Sequence, residues 1–419
     1  MAIRLALIGC GGMGRRHLRA YHELASRRPG LIELAAVVDV VEERAQFVAN
    51  EAAELLGQRP RVFTSLDGAL HGTPELQAID LVAAASAHHT LAVRAMEAGL
   101  HVLTEKPMAA TVRACKRMGE TATRTQRVLS VAEGHRRDPI ARLVRAALVA
   151  GVIGEPRMAI DISTGGGAWL SANPWRYLKN EGGPILESGV HNADLWQFYL
   201  GPVATLDGRV RLTEPERFFA KAPLKRFHEH YRHQYPSVIA ATAPDAMLAN
   251  LTFASGAWGH WLDDQGAHGP RLSQNSVFGS QGRLDIPSLR SGKPLTVWRD
   301  GSTEPLTDSE LLAAVPEFHL DPTTAEFFGG ERLARYQMTG VFGEADRKNV
   351  ALEVAEFARA VRDGTPVEVG PAEGMVAVAL VMAAHESSEA GQRIAYADVL
   401  AGRMSAYQDP VDRALGLLD

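Results

Sequence analysis

Short runs of branched and small apolar residues alternate with amphipathic stretches through the first third of the chain. Residues 3–8, 32–38, 79–85 and 102–104 read as strands bounded by turn signals. Between them, residues 13–26, 41–56, 88–98 and 111–124 carry helical spacing of apolar positions. Repeated strand–helix units of this kind predict a parallel sheet with helices on both faces, and residues 127–131 add a further strand. After residue 134 the rhythm changes. A helix over 141–150 and a strand over 157–163 precede a glycine loop at 165–167, and a helix follows near 188–200. Alternating segments at 205–212, 247–253 and 257–262 predict half-exposed, mainly antiparallel strands, and residues 349–362 and 373–389 predict two late helices. The expected architecture is α/β: a Rossmann-type doubly wound sheet over 1–134, then an α+β domain with an open, mainly antiparallel sheet over 135–419. Residues 217–236 and 304–347 follow neither pattern.

Two domains suit a chain of 419 residues, and 46% apolar with 22% charged residues is ordinary for a globular protein. The net charge of −5 argues against nucleic acid or an anionic membrane as partner. The short basic runs Arg15-Arg16 and Arg136-Arg137 read as solvated surface or contacts to a small anion. Cys10 and Cys115 are the only cysteines, too few for a disulfide framework or a cysteine-rich zinc site, and they suit a reducing compartment. Residues 1–9 are too short for a signal-peptide core, and no apolar run approaches the roughly 20 residues of a membrane span. A cytoplasmic location is expected.

Gly9-Cys-Gly11-Gly12-Met13-Gly14 fits G-x-G-x-x-G between a predicted strand and a predicted helix. The first glycine permits the tight turn, the second admits a pyrophosphate to the backbone, and the third lets helix pack on strand. Free N–H groups at the helix start then face the phosphates. Asp39 ends the second strand, where a carboxylate accepts hydrogen bonds from ribose hydroxyls and repels a 2′-phosphate. Val40 and Val41 stand where a basic residue would favour NADP, so NAD is the expected cofactor.

Glu105-Lys106-Pro107 closes a strand at the edge where ligands bind in open α/β sheets. Proline restricts the backbone there, and the Lys106 ammonium is suited to stabilising developing alkoxide character. A third segment runs Gly182-Gly-Pro-Ile-Leu-Glu187-Ser-Gly-Val-His191-Asn-Ala-Asp194. On a helix, Glu187 and His191 stand one turn apart with Asp194 close by, so a Glu187–His191 pair is expected to fix the imidazole tautomer for acid/base work. Trp175 and Arg176 supply an aromatic face and a cation for a polar ligand, while Trp258 and Trp261 suit core or interface. The cluster His228, His230, Tyr231, His233 and Tyr235 reads as a solvated inserted loop, and no metal is expected.

These segments together resemble the Gfo/Idh/MocA oxidoreductases. His88 before the helix ending at Ala98-Gly99, Arg136 with Pro139, and Gly151-Val-Ile-Gly-Glu-Pro156 extend the likeness, as does 357–391. The resemblance implies NAD(P)-dependent hydride transfer at a secondary hydroxyl of a sugar, cyclitol or glycoside, in a homodimer or homotetramer assembled through the open sheet. It implies His191 as acid/base, Lys106 polarising the reacting oxygen, and Glu187, Trp175, Arg176 and Asp194 around the substrate. Gly9, Gly11, Gly12, Met13, Gly14, Asp39, His88, Glu105 and Lys106 would meet the cofactor. Two departures stand out: Glu187 where the family usually has Asp, and Ala83-Ala-Ala-Ser-Ala-His88 in place of a Thr-Pro element. A non-catalytic dinucleotide- and sugar-binding sensor on the same fold is the alternative; the intact Lys106 and His191 favour an enzyme.

Overall fold

Strands β1 (Ile3–Ile8), β2 (Ile32–Val38), β3 (Arg61–Phe63), β4 (Ala78–Leu81), β5 (His101–Glu105) and β6 (Leu129–Ala132) form the first sheet of the computed structural model. The structure describes residues 2–170, 173–219, 230–338 and 343–418. The six strands lie in the order β3-β2-β1-β4-β5-β6 with every pairing parallel. Helices α1 (Gly12–Arg27), α2 (Glu42–Leu56), α3 (Leu66–Gly72), α4 (Ala85–Glu97) and α5 (Val112–Thr125) connect them. Because helices cover the sheet, its central strands are buried on both faces and read as continuous apolar runs; all four residues of β4 are buried. Strand order reverses between β1 and β4, which opens a crevice at their C-terminal ends.

The chain continues through α6 (Pro139–Val149), β7 (Pro156–Thr164), β8 (Trp169–Leu170), α7 (Gly183–Leu200), β9 (Val203–Arg211), β10 (Glu216–Phe219) and β11 (Val238–Ala240). Strands β12 (Ala246–Phe253), β13 (Trp258–Asp264), β14 (Ser273–Gly279), β15 (Gly282–Asp285), β16 (Thr296–Arg299) and β17 (Ile394–Ala395) complete the second half. The large sheet runs β16-β15-β14-β7-β13-β12-β9-β17 and is antiparallel except for β7 with β13, as expected of an open, mainly antiparallel sheet. A small sheet, β11-β10-β8, stands beside it.

Residues 304–347, which follow no clear pattern in sequence, contain α8 (Asp308–Ala314) and α9 (Pro322–Phe328). Two long helices, α10 (Glu344–Asp363) and α11 (Pro371–Ala390), return to the first sheet. Helix α10 packs on α1 and reaches β1, β5 and β6; α11 lies against α5, α7 and β9. Both helices belong to the span expected to form the second domain, yet α10 packs on the first, and α11 bridges the two. Residues of α10 also pair with one arginine of each basic run. Arg16 pairs with Asp346 on α10 and lines the cleft, while Arg137, 3% exposed at its side chain, pairs with Glu356 and Glu368; of the two readings, solvated surface or contact with a small anion, Arg137 fits neither.

Candidate functional site

At the crevice the chain leaves β1 through Gly9, whose φ of +102° lies in the region glycine adopts freely. A Cβ on Gly9 would fall 2.7 Å from the Val82 carbonyl oxygen, and one on Gly14 would fall 2.1 Å from the Gly9 oxygen. Those two glycines are required by packing. Gly11 is different: nothing lies within 4 Å of its Cβ position. Its backbone faces open space where a ligand can approach closely. No side chain caps α1, so its first N–H groups are left for an anion. Asp39 accepts the Cys10 N–H at 2.8 Å and the Val41 N–H at 2.9 Å, one on each carboxylate oxygen. Each oxygen keeps a lone pair for a ribose hydroxyl, and Val40 beside it is 88% exposed. These features suit a dinucleotide.

Gly9, Gly11, Gly12, Met13 and Asp39 line one end of a cavity of about 1620 Å³. That exceeds the roughly 300–1,000 Å³ of a pocket for one small molecule, so there is room for a dinucleotide and a second ligand. Glu105, Lys106, Trp175, Arg176, Glu187 and His191 line the same cavity further along. Glu105 accepts the Lys106 N–H at 2.9 Å and lies 3.2 Å from His17 Nε2, so it braces the lysine backbone.

The Lys106 ammonium donates to the Glu187 carbonyl oxygen at 2.9 Å and to Glu187 Oε1 at 2.8 Å. Arg176 Nη2 stands 3.2 Å from the same carboxylate oxygen. Burial opposes ionisation of Glu187, but Arg176 and Lys106 outweigh it and hold the carboxyl well below its usual range. Glu187 Oε2 and Arg176 Nε are buried with no hydrogen-bond partner, polar atoms for a ligand to satisfy.

Glu187 is not the direct partner of His191, which corrects the expected pairing. His191 Nδ1 lies 2.8 Å from both oxygens of Glu133, just beyond β6. Helical spacing made Glu187 and His191 neighbours, but the two cations across the cleft draw the Glu187 carboxylate to themselves. Glu133 also accepts the His135 N–H at 2.9 Å. Burial, with Lys106 and Arg290 nearby, keeps His191 well below the usual histidine range, so the imidazole is neutral. With Nδ1–H donated to Glu133, the lone pair is on Nε2. The signal for Glu133 was available: it follows a strand C-terminus, the rule that singled out Lys106.

Two further expectations are corrected. Asp194 is 2% exposed and forms a buried bidentate pair with Arg136, away from the cavity lining. Arg136 donates a hydrogen bond to each of its carboxylate oxygens, so Asp194 braces the helix that carries His191 rather than facing a substrate. His88 is buried, with its ring nitrogens 3.0 Å from the Pro107 oxygen and 3.1 Å from the Ala83 oxygen. It supports the backbone beneath the cleft without lining it. Trp261 is fully buried against Trp196, and Trp258 lies exposed on the other sheet face.

The far end of the cavity is a polar floor missed from sequence. Asp161 on β7 and Asp263 on β13 line it; Asp161 accepts Asn275 Nδ2 at 2.8 Å and Asp263 accepts the Ser188 hydroxyl at 3.0 Å. Burial raises both carboxyls, to about 7 for Asp161, with Asp263 adding to it, and to about 6 for Asp263. Carboxylates at core-facing positions of otherwise apolar strands are the sequence signal for such a floor.

A doubly wound sheet with a glycine loop, and a lysine and histidine lining the same cleft, is an arrangement that suits a dinucleotide-dependent oxidoreductase. Residues 3–133 match the Gfo/Idh/MocA oxidoreductase family with NAD-binding Rossmann fold, and residues 141–285 match the Gfo/Idh/MocA C-terminal domain. The chain belongs to this family, and its N-terminal domain is NAD-binding. It is 24% identical over 398 residues to myo-inositol 2-dehydrogenase of Thermotoga maritima, covering 95% of this chain and 100% of that one. With the NAD(+)-dependent scyllo-inositol 2-dehydrogenase of Bacillus subtilis it shares 24% over 290 residues, 69% of this chain and 75% of the relative. Levoglucosan dehydrogenase, solved with NADH and L-sorbose, superposes with a TM-score of 0.72 at 22% identity, over 95% of this chain and 99% of that one.

Proposed function

We propose that the protein oxidises, or reversibly reduces, a secondary hydroxyl of a sugar, cyclitol or glycoside with NAD as hydride acceptor. The convergence of Lys106 and His191 on the cavity that holds the glycine loop carries this reading. Bound NAD supplies a nicotinamide carbon that takes the hydride. The chain supplies the rest. Neutral His191, its tautomer held by Glu133, accepts the hydroxyl proton at Nε2. Lys106 keeps its third N–H donor for the reacting oxygen and stabilises alkoxide character there, while Glu187 anchors its ammonium. Trp175 offers a ring face, and Arg176 and the Asp161/Asp263 floor accept or donate hydrogen bonds around a polyol. Asp39 favours NAD over NADP. Buried Cys10 and Cys115 suit a reducing compartment such as the cytoplasm. No helix among the described residues is long and apolar enough to cross a membrane.

The test is NADH formation, followed by its near-ultraviolet absorbance, with NAD or NADP and a panel of cyclitols, aldoses and glycosides. Lys106→Ala and His191→Ala should each lower turnover by about 10²–10⁴-fold with NADH binding kept. Near-normal turnover in either variant would sink the assignment, and binding of NAD and sugar without turnover would favour the sensor reading. One observation favours a second arrangement: Glu133, His135 and His191 bring candidate ligand atoms within 4.8 Å of one another. A divalent ion there would make His191 a ligand rather than a base. Activity unchanged after chelation, with no stoichiometric metal in elemental analysis, is the expected result.

A further inference from the structure

The segment between β10 and β11 read in sequence as a solvated loop; His228 lies outside the described residues, but 230–236 pack onto the cofactor end of the cleft. Tyr231 is 1% exposed, and its hydroxyl donates to the Cys10 carbonyl oxygen at 2.8 Å. Cys10 sits inside the glycine loop, and its N–H is held by Asp39 at 2.8 Å. One residue of the loop is thus fixed at both backbone groups, by the carboxylate expected to meet the ribose and by a tyrosine from the other half of the chain. The peptide plane is rigid, so fixing the Cys10 carbonyl also fixes the direction of the Gly11 N–H, which points the opposite way.

The remaining contacts extend this seam along the cleft. The His230 ring lies 4.0 Å from the Phe47 ring on α2, and the Arg44 guanidinium stands 5.2 Å over the Tyr231 ring. Arg44 Nε donates to Gln234 Oε1 at 2.7 Å. Tyr235 donates to Asn173 Oδ1 at 2.7 Å, and Tyr235 and Pro236 share the cavity lining with Asp39, Val40 and Arg44. The base of the segment is firm: Arg217 on β10, fully buried, bonds Asp245 Oδ2 and the Gly167 oxygen, each at 2.5 Å.

We propose that residues 230–236 are a clasp that completes the adenosine half of the dinucleotide site, so that NAD(H) leaves only when the clasp releases the loop. The inference rests on the NAD reading but not on any substrate. Tyr231 positions the loop that meets the phosphates. Tyr235 lines the same cavity as Asp39 and is held there by Asn173. Gln234 holds Arg44 by its Nε, so the clasp also positions a guanidinium that lines the cavity beside Asp39.

The experiment is stopped-flow release of NADH from the full-length protein, read by NADH fluorescence on mixing with excess NAD. Tyr231→Phe and Tyr235→Ala are the variants, and thermal unfolding without nucleotide confirms that each is folded. Release should quicken about tenfold in each variant and further in the pair, with little change in the association rate. Nucleotide released by heat from the purified wild type should exceed that from the double variant. NADH release within twofold of wild type in folded variants overturns the clasp. Absence of any NADH binding to the wild type overturns the clasp and the NAD reading together.

Discussion

A lysine ammonium has three N–H donors, and at Lys106 two already go to Glu187, so its direction is set before substrate arrives. His191 is set in the same way by Glu133. The residues of this centre differ in how readable they were. Lys106 lies at a strand end beside a proline and announces itself locally; Glu133 serves a histidine 58 residues away, and nothing in its own neighbourhood names that partner. Glu187 is legible in sequence as a site residue but its partner is not, because helical spacing carries no information about cations on other elements. Glu133→Gln tests the corrected pairing: the amide keeps the shape but loses the charge that stabilises an imidazolium. Turnover should fall about 100-fold with NADH affinity unchanged, and His191→Ala should then cost little more in that background. The floor carboxylates give a pH signature. Because Asp161 and Asp263 are raised to about 7 and about 6, they ionise, and become better acceptors for hydroxyls, as pH climbs through 6–7. KM for a neutral polyol should fall across that interval in the wild type, and Asp161→Asn with Asp263→Asn should flatten the change.

At the scale of elements, the strand-and-helix order of the first sheet was legible because strands buried on both faces leave unbroken apolar runs. The clasp was not, because its decisive bond joins residues 221 apart and its histidines and tyrosines look polar in isolation. Helix α1 shows what such distant bonds do for the fold. His17 on α1 is fully buried, with Nδ1 2.7 Å from Asp80 on β4 and Nε2 3.2 Å from Glu105 on β5; Tyr21 donates to the same Asp80 oxygen at 2.5 Å. Burial alone would push the imidazole down, but Asp80 and Glu105 outweigh it and raise it to about 10. A histidine raised on folding contributes stability that is fully present below its ordinary value near 6.5 and is lost as pH rises through about 10. His17→Gln should therefore cost about 3 kcal/mol at neutral pH, as expected for a buried ion pair losing one partner. Urea unfolding of both proteins across pH 6–11 should show the gap closing toward the alkaline end. A gap that stays constant would show that His17 is neutral in the folded protein.

At the scale of the whole molecule, the large sheet has two unlike faces. One is covered by α7 and α11 and opens into the cleft through Asp161 and Asp263. Residues paired across neighbouring strands share a face, so the register lays out the other side row by row. Leu248, Leu262 and Ile162 make one row, and Trp258, Met158 and Phe278 another. Trp258 is 66% exposed and Leu248 40% exposed. Apolar rows on an open sheet are costly to leave wet, and isolated surface leucines would not form them in register. The homodimer or homotetramer expected from the family resemblance would bury these rows: a second copy laid face to face would remove both from water at once, and the same patch would serve each partner in a twofold arrangement. Light scattering of the wild type should give a dimer or a tetramer. Leu248→Asp with Trp258→Asp puts carboxylates into both rows and should yield monomers with near-native thermal stability, since neither side chain supports the core. A monomeric wild type, or a double variant that keeps its oligomeric mass, would remove this face from the assembly.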